Sequence, residues 1–208
     1  MVDTQESLYE QLYSLSTIAK QRFVENFSGD SLDTDRWQTT NVSGTGTFAM
    51  ADSADEGFSI TTGGSSGNIS NITFNNKRPF SKTGSVCITI YRRVNTGLVR
   101  TGFASDTADA NTSQAYSDNN AGNTHYKLFT AGGGFTSTAT SINTDTNFHV
   151  HKIELTSSNA QLTIDGNLEV TKTTNLPPND LQPKMNVYRN PSTGTHESRI
   201  KYMECYNT

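Results

Sequence analysis

Two stretches decide the fold: Phe27-Ser-Gly-Asp-Ser-Leu-Asp-Thr-Asp-Arg-Trp37, and Phe148-His-Val-His-Lys-Ile-Glu-Leu155 with its continuation Leu162-Thr-Ile-Asp-Gly-Asn-Leu-Glu-Val170. In the second, two short strand-like segments, 161–164 and 168–170, flank Asp165-Gly166. That dipeptide suits the positive φ angles of a two-residue type I′ turn, so the segment reads as a β-hairpin. In the first, Phe27 and Leu32 anchor a tight loop, and Trp37, the only tryptophan, starts the next segment from the core. An aromatic ring so placed is a packing residue before it is a ligand platform.

Working outward, strand-like segments recur at 23–27, 47–51, 58–62, 69–74, 86–92, 98–104, 125–129, 150–156, 185–188 and 200–206. Turn clusters separate them: Gly63-Gly-Ser-Ser-Gly67, Ala131-Gly-Gly-Gly134 and Pro177-Pro178. The polar run 105–124 offers no good strand and reads as a long surface loop. Thr, Ser, Asn and Gly make up roughly two-fifths of the chain, a composition suited to short strands with polar outer faces. At 208 residues one β-sandwich can bury a single core.

The segment before the first strand differs in kind. Leu8, Leu12, Leu15 and Ala19 are spaced to lay one apolar stripe down a helix, widened by Tyr9 and Tyr13. Asp3 and Glu6 form an N-cap pair, and neither Gly nor Pro interrupts the run. The expected organisation is an N-terminal amphipathic helix over 1–22, serving anchoring or oligomerisation, and a sandwich over 23–208.

The formal net charge of −4 gives no electrostatic reason to expect nucleic acid as a partner. No apolar stretch is long enough for a membrane span, so no membrane partner is expected. The first residues are acidic and polar where a signal peptide would be basic and then apolar. Cys87 and Cys205 read as small buried hydrophobes that could pair if their strands are neighbours. His149 and His151 share one face of a strand, but no Cys, His or carboxylate cluster joins them, so no metal site and no cofactor are expected. The oxygen-rich groups Asp30, Asp33, Asp35 and Asp52, Asp55, Glu56 are the only features suited to Ca²⁺, and they lack EF-hand spacing.

The block 27–37 resembles the F-x-G-x-x-L-D-x-x-x-W opening of laminarinase-type glycoside hydrolases. The block from Phe148 through Asp165-Gly166 to Leu176-Pro-Pro178 resembles the matching run of laminin-G-like and glucanase-like domains. The resemblance implies an all-β, concanavalin A-like jelly-roll sandwich of two antiparallel sheets. In the laminarinase-type family the catalytic carboxylates come from one strand carrying E-x-D-x-E or E-x-D-x-x-E, whose alternate residues point into the cleft. Here no Glu is followed two positions later by Asp, so no catalytic residue is expected and the chain reads as not an enzyme.

With its amphipathic helix, the chain also resembles small virion proteins of tailed phages. That resemblance implies a non-enzymatic capsid decoration, cement or head-fibre protein in the virion. Leu8, Tyr9, Leu12, Tyr13, Leu15 and Ala19 would then make it a homo-oligomer or dock it on capsid proteins. The alternative is a carbohydrate-binding adhesin module, viral or bacterial, for surface glycans. Its candidate contacts are Tyr116, His125, Tyr126 and Arg189, chosen as aromatic rings and planar hydrogen-bonding groups near loops.

Overall fold

A computed structural model describes residues 21–51, 56–75, 77–95, 97–106, 112–119, 124–189 and 194–208. Residues 1–20 of the expected N-terminal helix, with all six docking residues, lie outside these described residues, and Arg22, the last residue of the expected span, opens the first strand.

Among the described residues, fifteen strands form two antiparallel sheets. The eight-stranded sheet runs β13 (Asn167–Lys172), β12 (Ala160–Ile164), β11 (His149–Thr156), β6 (Gly84–Arg93), β15 (Glu197–Asn207), β4 (Phe58–Thr62), β3 (Gly46–Met50), with β1 (Arg22–Glu25) also paired to β15. The seven-stranded sheet runs β10 (Phe135–Asn143), β9 (His125–Gly132), β8 (Ser113–Asn119), β7 (Leu98–Ala104), β14 (Gln182–Tyr188), β5 (Ile69–Thr73), β2 (Gln38–Ser43). Consecutive strands repeatedly switch sheets, as in a jelly roll. The expected all-β sandwich is the observed one.

The core lies between the sheets. Ile60, Cys87, Tyr91, Ile153, Leu155, Leu162, Ile200, Met203 and Cys205 meet Ile72, Val99, Phe103, Ala115, Leu128, Met185 and Val187 from across the sandwich. Trp37 is 2% exposed. It is ringed by Phe23, Phe27 and Phe74 at 5.4–5.9 Å, and its indole N–H donates to Glu25 Oε2 at 3.2 Å. Its expected packing role therefore has a physical basis: the ring is buried and its one polar atom is satisfied. The turn at Asp165-Gly166 has φ of 49° and 87°, as a type I′ hairpin requires. Cys87 and Cys205 are direct register partners on β6 and β15, both buried and both free thiols.

Three strands differ from the sequence reading: β2, β8 and β10 occupy segments without a recognisable apolar alternation. The expected loop over 105–124 is corrected in its second half, where β8 pairs with β7 on one side and β9 on the other. Its core-facing residues, Ala115 and Ser117, are small or polar, so the alternation that marks a half-buried strand is missing.

Candidate functional site

Because side chains alternate along each strand, Val99, Phe103 and Leu128 point into the core, and the residues between them face outward from the seven-stranded sheet. Cross-strand register places these outward residues in rows. One row reads Thr40, Asn71, Asn186, Arg100, Asp118, Lys127, Ala139 from β2 to β10. The next reads Gln38, Thr73, Lys184, Gly102, Tyr116, Phe129, Ser137. This face is amide-rich and charged at its centre, with an aromatic step towards β10.

Arg100, Asp118, Lys127, Phe129, Phe135, Thr136 and Ser137 line a cleft of about 450 Å³. Arg100 donates through Nε to Asp118 Oδ2 at 3.2 Å, and both side chains are largely buried. The guanidinium carbon lies 4.4 Å from the Phe129 ring centroid, a cation–π contact that fixes its plane. Phe129 is itself stacked between Tyr116, at 6.3 Å, and Phe135, at 5.8 Å. Phe135 is 63% exposed, leaving an aromatic surface open at the cleft's edge. Stacked aromatic faces beside planar hydrogen-bonding groups are the surface that a pyranose ring needs.

A larger cavity of about 680 Å³ lies along β1, lined by Phe23, Val24, Arg36, Phe74 and Phe80 among others. Among the described residues, no carboxylate, histidine or thiol lines it.

The structure scatters the candidate glycan contacts. Tyr116 does face outward, beside the cleft. His125 begins β9, and its Nδ1 pairs with Thr124 Oγ1 at 2.7 Å. Tyr126 faces the other way, into the core against His149 and His151, and burial pushes its pKa up to about 12. Arg189 follows β14 and is 5% exposed, close enough to His196 to lower that imidazole's pKa, a shift to which burial contributes first.

Arg100, Asp118, Lys127, Phe129 and Phe135 were not anticipated. The one signal in the sequence was the spacing of Gln114, Tyr116 and Asp118, polar residues at alternate positions of a segment with no apolar face. These three occupy one strand in the E-x-D-x-E pattern of spacing, with Gln, Tyr and Asp as its residues. Among the described residues, Asp118 is the only carboxylate on the seven strands of this sheet.

The two histidines form no shared site. His149 lies between two carboxylates, with Nδ1 2.6 Å from Asp165 Oδ2 and Nε2 3.1 Å from Asp145 Oδ1. Burial pushes its pKa down, but hydrogen bonds to Asp165 and Asp145 outweigh that and raise it. His151 is fully buried, with Nδ1 2.8 Å from Ser117 Oγ, and burial drives its pKa to about 3. A serine paired with a histidine suggests a nucleophile, yet Ser117 and His151 are both enclosed between the sheets, where no substrate reaches.

The sequence matches no protein-family model and no curated protein. Solved structures share the fold. A Crh5 transglycosylase superposes with a TM-score of 0.64 at 16% identity, over 90% of this chain and 84% of that one. The Bacillus licheniformis β-glucanase gives 0.63 at 14% identity, over 90% and 98%. The laminarinase catalytic domain of Thermotoga maritima gives 0.64 at 12% identity, over 89% and 97%. These neighbours overturn the expectation of a non-enzymatic virion protein. They are carbohydrate-active enzymes, not capsid decoration or fibre proteins. The reading of the chain as not an enzyme is corrected on the same finding. That reading rested on the missing Glu-x-Asp pattern; on β8 the same alternate spacing holds Gln114, Tyr116 and Asp118.

Proposed function

We propose that the chain is a carbohydrate-active enzyme that cleaves or transfers a glycosidic bond in a polysaccharide laid across the outer face of the seven-stranded sheet. One observation carries this reading. Asp118 stands in a cleft between Arg100 and Lys127, beside the Tyr116–Phe129–Phe135 aromatic step. Support also comes from the fold's solved neighbours, whose names include a β-glucanase, a laminarinase and a transglycosylase.

Phe135, the exposed end of the aromatic step, gives a sugar ring a surface to stack on, with Phe129 and Tyr116 buried behind it. Asp118 supplies the reacting group. A carboxylate at that point favours the positive charge that develops on a sugar ring as the glycosidic bond breaks. It can also take the proton of an attacking water or sugar hydroxyl. Double displacement requires two carboxylates about 5–5.5 Å apart. Asp118 therefore acts here as the sheet's single carboxylate, oriented by Arg100.

The test is incubation of the full chain with a panel of polysaccharides, following polymer length by size exclusion with light scattering and counting new reducing ends. Shortening or redistribution of chain length is expected with at least one polymer. Asp118→Asn, shown to be folded by its circular dichroism, should reduce the rate about a hundredfold or more. An equally active D118N variant removes Asp118 from the mechanism. Unchanged length in every polymer overturns the reading.

A further inference from the structure

We infer that residues 1–20 of this chain pack their apolar stripe across the outer face of the seven-stranded sheet, and must lift before a polymer reaches Asp118; the second half rests on the carbohydrate-active reading above. The outer face of this sheet is enclosed. Gln114 stands in register between Ala104 and Ala131, and Lys184 between Thr73 and Gly102, so each overtops its neighbours. A long polar side chain flanked by shorter ones reaches solvent unless something lies over it. Both are nonetheless 0% exposed, as are Asn71, Asn186 and Tyr116. Ala104, Tyr116, Phe129 and Ala131 also form an apolar cluster of their own, separate from the core between the sheets. Such a satellite cluster lies beneath another part of the chain.

The enclosure exists within one copy of the chain, so the cover belongs to that copy. The longer described connections are held elsewhere: 26–37 around Trp37, 144–148 against Arg93 of β6, and 173–181 by Thr130 and Ser113. Outside the described residues, the internal segments 52–55, 107–111, 120–123 and 190–193, with Asn76 and Thr96, hold nothing apolar larger than Ala except Pro191. Residues 1–20 hold Leu8, Leu12, Leu15 and Ile18, with Tyr9 and Tyr13. Their origin and length also fit. Phe23 lies 4.8 Å from Phe74, the residue after β5, so the segment arises at the margin of the sheet it covers. Twenty residues in helical form extend about 30 Å, close to the width of seven strands about 4.8 Å apart.

The contact is built to be exchanged. The stripe meets apolar partners at the satellite cluster, but it offers nothing to the amides of Gln114 and Asn186. Both amides lack hydrogen-bond partners among the described residues. Buried unpaired amides weaken a contact, and sugar hydroxyls satisfy them, so a polysaccharide competes with the segment for this face.

Lysine acylation of the full chain, read by peptide mass spectrometry, tests the cover, with light scattering for mass and the polymer-shortening assay alongside. Lys152, 37% exposed on the other sheet, is the internal reference. Wild type is expected to be a monomer in which Lys184 reacts about tenfold or more slowly than Lys152. Combining Leu8→Asp, Leu12→Asp and Leu15→Asp should bring Lys184 to within about threefold of Lys152 and speed polymer shortening about threefold or more. Silence of the Cys87 and Cys205 thiols in that variant shows that the sandwich is folded; should they react, Leu12→Asn alone carries the comparison. Lys184 reacting as fast as Lys152 in wild type overturns the cover, and so does a Lys184 still protected in the folded variant. A dimer whose protection is lost on dilution assigns the cover to a second copy and overturns the inference. Exposure of Lys184 without faster shortening keeps the cover and overturns its gating of Asp118. No shortening by either protein overturns the carbohydrate-active reading and leaves the cover standing.

Discussion

His149 and His151 stand two positions apart on β11, 6.2 Å between ring centroids, and their surroundings push them in opposite directions. His151 is enclosed, and Nε2 has no hydrogen-bond partner among the described residues. A second proton there would place an N–H against nothing that accepts it. Its folded pKa of about 3 lies below the ordinary 6.5, so its neutral form contributes full stability above about pH 6.5. That contribution falls as pH drops from 6.5 towards 3. For His149 the sign is reversed. Its folded pKa is raised, so its ion pairs with Asp165 and Asp145 contribute fully below 6.5 and are lost as pH rises through the raised value. Urea unfolding at about pH 7 and about pH 4.5 should separate the two. Wild type is expected to lose stability towards acid, and His151→Asn, which keeps an acceptor for Ser117, should lose distinctly less. An equal decline in both proteins would show that His151 is not the acid-sensitive group. This window lies above the range where Asp145 and Asp165 protonate, since both carboxylates sit below their usual pKa. Burial opposes that lowering, but hydrogen bonds from Asn147 and His149 to Asp145, and from His149 and Val150 to Asp165, prevail.

At the scale of the element, two glycines show how backbone geometry builds the sheets. Gly166 closes the β12–β13 hairpin at φ 87°, with open space where a Cβ would go. Gly166→Ala therefore meets only the conformational penalty of a left-handed residue, about 1 kcal/mol. Gly102, in the middle of β7, has φ 145°, and a Cβ there would come within 2.6 Å of Ile153 Cδ1 and also press on the Ala115 carbonyl. Strain and overpacking add, so Gly102→Ala should cost about 2 kcal/mol or more, and guanidinium unfolding midpoints should rank it well below G166A. Equal midpoints would mean that β7 relaxes around the new methyl. The same pair marks what was legible in the sequence. Asp165-Gly166 announced its hairpin because the turn needs those residue types, and Trp37, Phe27 and Leu32 announced the core in the same way. Gly102 and β8 announced nothing. Ser113–Asn119 is polar on both faces: one faces outward with Gln114, Tyr116 and Asp118, and the other sets Ser117 against His151 inside the sandwich. A strand without an apolar face has no periodicity to read, and this one carries the candidate site. Polar residues on both faces of β8 thus leave no signal that would locate Asp118 and its row.

For the whole molecule, the last strand holds the first half of the chain together. β15 pairs with β1, β4 and β6, so residues 197–207 meet partners from 22–25, 58–61 and 85–93. These contacts are distant in sequence, and such topologies gain their stability only when the chain has closed over long loops. The Cys87–Cys205 register pair lies at the centre of that closure, with both thiols at 1% exposure or less and burial, foremost, holding the Cys205 thiol far above its usual pKa. A buried, protonated thiol does not react, so neither cysteine should be labelled until β15 leaves the sheet. Because β15 is bonded on both sides, it cannot leave while the rest of its sheet stays folded, and labelling should report global unfolding. With an aromatic disulfide reagent in native buffer, both thiols are expected to react together, in one phase, at a rate that follows the unfolding equilibrium as denaturant is added. Lys127→Gln, on the other sheet, should not change that rate, whereas Gly102→Ala should speed it in proportion to its lost stability. Rapid labelling of one thiol in native buffer would mean that β15 frays independently and does not close the sandwich. A stable scaffold closed on one sheet leaves the other sheet's outer face free to spend its residues on a polar, charged row that adds nothing to the core.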